Sequence, residues 1–246
     1  FDWLVGENSQ PTIGAQLLGL LLIIGASCLS AMSGLHKGIK WLSNINMILS
    51  LVLILFFMLF GASVFAFKTF FITIYDYLLA LPEMSFTVWN SNDSEIIGKL
   101  QSWQSSWTIF YWAWWIAFAP FVGIFLARVS KGRTIREYVF GAIIVPSLIC
   151  LVWFAFIGGT AIDLELSGEA QGSIINTDIS NQLFATVNLI TSEGFAATLS
   201  VIIVILLLTF LITSADSGIL IINTLASGGS SDRREVKHII VWGVIF

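Results

Sequence analysis

The feature that most limits what this chain can fold into is a series of apolar runs, each about 20 residues long, with most of its charged residues confined between them. A run of that length can cross the hydrocarbon core of a bilayer as one helix, which satisfies its own backbone hydrogen bonds where water is absent. One soluble core could not hide so many such runs. Only 11% of the residues are charged, against about 25% in an ordinary soluble domain. Mean hydropathy is +0.91. The pattern therefore predicts an all-α integral membrane protein, with complete spans at 13–34, 45–67, 107–128, 137–160 and 195–215 and a truncated sixth from 238 onward. The chain starts at Phe1 and stops at Phe246 inside an apolar run, so it reads as a single, incomplete membrane domain over 1–246, a fragment of a longer protein.

The charges between the spans sort by sign. Lys37 and Lys40 lie in the first loop, Arg128, Lys131, Arg133 and Arg136 in the third, and Arg233, Arg234 and Lys237 in the fifth, which is nine of the eleven Lys and Arg residues. The second and fourth loops hold Asp76, Glu83, Asp93, Glu95, Asp163, Glu165, Glu169, Asp178 and Glu193, with Lys68 and Lys99 as their cations. Lys and Arg collect on the cytoplasmic side of membrane proteins. Loops 35–44, 128–136 and 218–237 are thus expected in the cytoplasm of a cell (inner) membrane protein, and the acidic loops outside. Residues 69–82 and 179–191 have helical apolar spacing but are short for a span, so both are expected as extracellular interfacial helices. The polar stretches 88–106 and 163–178 read as loops, and the pairs Gly158–Gly159 and Gly228–Gly229 as helix ends.

Little here suggests an enzyme, a cofactor or a nucleic-acid partner. Cys28 and Cys150 both fall inside apolar spans and read as buried free thiols. There is no CxxC, HExxH or glycine-rich phosphate loop. His36 and His238 lie in cytoplasmic loops without ligand spacing. The expected partners are the lipid bilayer and a small molecule.

Two stretches carry chemistry. Residues 107–137 read WTIFYWAWWIAFAPFVGIFLARVSKGRTIRE, with six aromatics between Trp107 and Trp115. At 100° per residue, Trp112, Trp115 and Phe118 form one drifting stripe, and Trp114, Phe118, Phe121 and Phe125 an adjacent one. Ring faces in an apolar setting suit a cation that has no hydrogen bonds to donate. An interfacial aromatic belt or plain helix packing would use the same residues. Pro120 removes a backbone hydrogen bond, and with Gly123 it marks an expected helix break near mid-membrane, where transporters often bind substrate. A kink without function is the alternative. The second stretch is TFLITSADSG (209–218), which brings Thr209, Thr213, Ser214, Asp216 and Ser217 to the expected end of an apolar helix. Hydroxyls and backbone carbonyls suit a dehydrated hard cation such as sodium. For Thr213 and Ser214, a solvated helix end is equally consistent. For Asp216, position favours the solvated end.

These residues resemble the betaine/choline/carnitine transporter family. The resemblance rests on the aromatic run above, SAMSGLHKGIKWLSNIN (30–46), WFAFIGGTAI (153–162) and TSADSG (213–218), in that order and across essentially the whole chain. It implies part of a leucine-transporter-like inverted-repeat fold, about the sixth span to the start of the eleventh of twelve. It also implies secondary transport of a quaternary-ammonium compound (glycine betaine, choline or carnitine type) with sodium as coupling ion and no enzyme activity. Proton coupling or substrate exchange is the alternative within the family. By motif, Trp115 would wall the aromatic box, and Trp112, Trp114 and Phe118 would flank the substrate path. Family members often carry tryptophan at the position of Phe118. Phe210, Thr213 and Ser214 match the segment that contributes to a sodium site. Asn46 stands where sodium-independent exchangers carry an arginine, and their signature lacks the counterparts of Pro120 and Phe121; both differences imply ion-coupled uptake. The remaining box aromatics and the glycine-rich helix lie upstream of this chain, so the fragment alone is not expected to transport. Some members are trimers, so the resemblance admits a homotrimer.

Overall fold

A computed structural model describes residues 12–33, 40–89, 95–226 and 236–245. Among them the secondary structure is entirely helical. The helices are α1 (Ile13–Ser33), α2 (Lys40–Phe60), α3 (Ser63–Phe86), α4 (Glu95–Val129), α5 (Ile135–Leu166), α6 (Gln182–Ile190), α7 (Glu193–Ala226) and α8 (Val236–Ile245). The first five and α7 are long and apolar enough to cross a membrane by length and composition. The chain is an all-helical, multi-pass membrane protein. Lys37, His36, Asp93, Arg233, Arg234 and Gly228–Gly229 lie outside the described residues.

The helices form two units. The first comprises Phe1–Phe60 and Gly172–Phe246. In it α7 packs against α1, α2, α6 and α8. Leu53, Ile54, Phe56 and Phe57 of α2 and Ala196, Leu199, Ile203 and Leu206 of α7 are buried. Phe56 stacks on Phe60 with ring centres 5.2 Å apart and touches Phe195 at 5.9 Å. Further along α7, Ile219 packs with Ala31 of α1 and Ile239 of α8. Here α8 comes so close that a Cβ on Gly243 would press against Cys28 Sγ and move the thiol aside. His238 is in α8, not in a loop.

The second unit is Gly61–Gln171, with α3, α4 and α5. Gly159 of α5 lies against Ala66 of α3, where its missing side chain permits close contact. Thr160 Oγ accepts from the Ala62 amide at 3.2 Å and donates to the Phe156 carbonyl at 2.6 Å. The Gln104 side chain ties α4 to the end of α3 through the Thr87 carbonyl (2.7 Å) and the Trp89 amide (3.0 Å). Single π-helical turns interrupt α4 at Ser105–Ile109 and α5 at Phe140–Ile144 and Phe154–Gly158. A turn with Gly132 at φ +84° joins α4 to α5, and a Thr134/Glu137 capping box starts α5.

Several expected boundaries move. The second span ends at Phe60, not 67, because Gly61 and Ala62 leave the helix and Thr160 captures the Ala62 amide. Residues 69–82 then belong to the longer α3. Much of 88–106 is helix, opened by a Glu95–Lys99 ion pair at 2.7 Å. α5 continues to Leu166, and the turns after it use Gly168 and Gly172 at φ +82° and +81°. Gly158 and Gly159 end no helix, since the second of them serves the α3 contact. Both cysteines are free as expected, but Cys28 is half-buried and Cys150 is exposed. The helix break at Pro120 and Gly123 is not present: Phe110–Val129 is helical throughout, because proline removes one ladder bond and leaves the others in place.

Candidate functional site

The aromatic row lies on α4 of the second unit. Trp107 and Tyr111 stack with an interplanar angle of 10° and centres 6.0 Å apart. Tyr111 meets Trp114 at 5.7 Å, Trp114 meets Trp115 at 6.1 Å and Phe118 at 6.3 Å, and Phe118 meets Phe121 at 5.0 Å. The structure thus joins Trp114, Phe118 and Phe121 by i, i+4 and i, i+3 contacts, and Trp115 joins them through its chain neighbour Trp114. Trp112 makes no ring contact among the described residues, so the stripe expected to run from it through Trp115 is not continuous. All four of Trp112, Trp114, Trp115 and Phe118 are exposed, and none of the residues Phe110–Val129 is buried. Each ring pair adds about 0.5–1.5 kcal/mol and holds its rings in place. The result is a fixed, accessible strip of π-faces. One helix presents a row, however, and enclosing a cation needs walls from other elements.

The polar cluster lies in the first unit, where α1 and α2 meet α7. The TSADSG run was expected to end its helix, but α7 carries on to Ala226. The reason is local. Ser217 Oγ shares its proton between the Thr213 carbonyl at 2.8 Å and Asp216 Oδ1 at 3.2 Å, and Thr213 Oγ donates to the Phe210 carbonyl at 3.0 Å. Hydroxyls bonded back onto their own helix do not compete with it for solvent. Asp216 is therefore not solvated: it is 0% exposed. Its second oxygen accepts from Ser30 Oγ of α1 at 2.5 Å. One turn earlier on α1, Ser27 Oγ donates to the Ile23 carbonyl at 2.7 Å and lies 3.4 Å from the Ile212 carbonyl of α7. A buried carboxylate in a membrane helix is costly, and the hydroxyls of Ser30 and Ser217 offset part of that cost.

Of the three residues expected around sodium, only Thr213 meets another helix: Asn46 Nδ2 of α2 donates to its Oγ at 3.4 Å. The side chains of Phe210 and Ser214 are exposed. Ser27 and Ser30 are partners that the sequence reading missed. The signal for them was the small-residue run GASCLSAMSG inside an apolar span, a pattern that lets membrane helices approach closely.

Comparison with known proteins converges on one family. The model for the betaine/carnitine/choline family of transporters matches residues 6–246. The glycine betaine transporter OpuD of Bacillus subtilis is 39% identical over 94% of this chain and 43% of its own length. A glycine betaine/proline/choline/ectoine transporter of Vibrio parahaemolyticus is 36% identical over 95% of this chain and 39% of its own length. An ectoine/hydroxyectoine transporter of Virgibacillus pantothenticus is 38% identical over 93% and 43%. The chain spans about two fifths of the length of these relatives. With the family model matched over nearly every residue, this chain belongs to the betaine/carnitine/choline transporter family.

Proposed function

We propose that the protein moves a quaternary-ammonium osmolyte across the cell membrane by alternating access, driven by sodium. The observation that carries this reading is the fixed strip of exposed rings at Trp114, Trp115 and Phe118. An onium group has no N–H to donate, so a ring face is one of the few neutral surfaces that attracts it. The printed names of two relatives include glycine betaine and choline, both quaternary-ammonium compounds, and support the same class of substrate. Trp115 forms one wall of the box, and Trp112, Trp114 and Phe118 line the approach. Sodium is held at the Phe210, Thr213 and Ser214 segment of α7. By binding the outward-open state more tightly than the inward one, it shifts the population toward the form that takes up substrate.

The charge pattern supports a topology. With the cationic loops 35–44 and 128–136 both in the cytoplasm, α3 lies along the outer interface. A crossing by α3 would put those two loops on opposite sides. α6 lies at the same interface.

The sodium reading is tested by Thr213→Ala and Ser214→Ala in the complete protein, reconstituted in liposomes. Losing an oxygen ligand to a cation is expected to raise the half-activating sodium concentration about tenfold. Unchanged sodium dependence in both variants removes the sodium assignment. Uptake driven equally by a proton gradient without sodium replaces it with proton coupling.

A further inference from the structure

Asn46 lies in the first half of α2, near Ser43, Asn44 and Ser50, and is 4% exposed. Its amide nitrogen is used, bonded to Thr213 Oγ. Its amide oxygen is buried and has no hydrogen-bond partner. Buried carbonyl oxygens of side chains almost always have a partner, and one that does not calls for a specific occupant such as water or an ion. Because the two ends of an amide are only about 2.2 Å apart, the bond at Nδ2 fixes Oδ1 close to the Thr213 hydroxyl. The Phe210 carbonyl is bonded to that same hydroxyl.

We propose that Asn46 is a cation ligand: its Oδ1 reaches from α2 to the sodium held on α7, beside Thr213 Oγ. The inference rests on the sodium reading above and adds a residue from a second helix to it. The chemistry of the donor set selects the ion. Asn46 Oδ1, Thr213 Oγ and the Phe210 carbonyl are neutral oxygens, which suit a monovalent hard cation, whereas calcium sites are built with carboxylates. The nearby carboxylate of Asp216 is engaged elsewhere, by Ser30 and Ser217. The contact also gives sodium a mechanical role, since an ion shared by Asn46 and Thr213 pins α2 to α7.

The test uses the complete protein and two readouts: sodium activation of glycine betaine uptake in liposomes, and the rise in melting temperature with sodium in detergent. Asn46→Ala is expected to raise the half-saturating sodium concentration about tenfold or more in both. Asn46→Asp retains an oxygen at the position, and it is expected to keep sodium binding at least as tight as the parent. If Asn46→Ala titrates like the parent, or Asn46→Asp loses the sodium response, Asn46 is not a ligand and its oxygen is met by water. A parent protein that shows no sodium response in either readout overturns the sodium reading and this inference together. A parent response with an unaltered Asn46→Ala overturns only the inference.

Discussion

Trp115→Ala in the complete protein is expected to raise the half-saturating glycine betaine concentration about 30-fold. A desolvated cation–π contact contributes about 2 kcal/mol, and each 1.4 kcal/mol is roughly a factor of ten. Trp115 is exposed yet held against Trp114 at 6.1 Å, and Trp114 in turn rests on Phe118 and Tyr111. The ring is therefore fixed before substrate arrives, and little entropy is lost on binding. Trp115→Phe keeps a π-face and is expected to retain most of the affinity. Trp112→Ala is expected to have a smaller effect, since Trp112 stands outside the ring cluster. Uptake kinetics of the three variants check this. A Trp115→Ala protein with the parent's KM would mean that the ring is a membrane-interface residue.

The second large effect is expected at Ser30. Its hydroxyl bonds Asp216, which is fully buried between α1 and α7. Ser30→Ala leaves that oxygen without its partner from α1, at a cost of about 1–3 kcal/mol and more for a charged acceptor. Ser30→Thr keeps the hydroxyl and is expected to retain most of the stability. Thermal melting in detergent measures both. A cycle of Ser30→Ala and Asp216→Asn should show coupling of about 1 kcal/mol or more, as contacting polar residues do. If Ser30→Ala melts with the parent, the Ser30–Asp216 bond contributes nothing measurable to the seam between α1 and α7.

These two sites differ in how far they could be read from the sequence. The aromatic row was legible because it is a one-helix feature: spacing of three and four residues brings Trp114 to Phe118 whatever else surrounds them. The division into apolar helices was legible for a similar reason, since hydropathy alone decides which segments can leave water. Asp216 was misread because a polar run after an apolar one marks a helix end only if its hydroxyls seek solvent. Ser217 and Thr213 turn back to their own helix, and the partner of Asp216 stands 186 residues earlier in the chain. The end of α2 at Phe60 was hidden in the same way. The apolar pattern continues across Gly61, and the Ala62 amide is taken by Thr160, 98 residues away. Pro120 shows the opposite error, a strong local signal that a long helix absorbed. At Asn46 the sequence offered one of several polar residues in the first half of α2, beside Ser43, Asn44 and Ser50. Only packing shows that its nitrogen meets Thr213 while its oxygen is left buried and without a partner.

The most direct test of the central claim is uptake of radiolabelled glycine betaine by the complete protein in proteoliposomes, with and without an inward sodium gradient. The expected result is accumulation that requires sodium and, at substrate concentrations well below saturation, falls about 30-fold in Trp115→Ala. Absence of uptake of glycine betaine, choline and carnitine under either a sodium or a proton gradient would contradict the assignment of the aromatic row to an onium substrate.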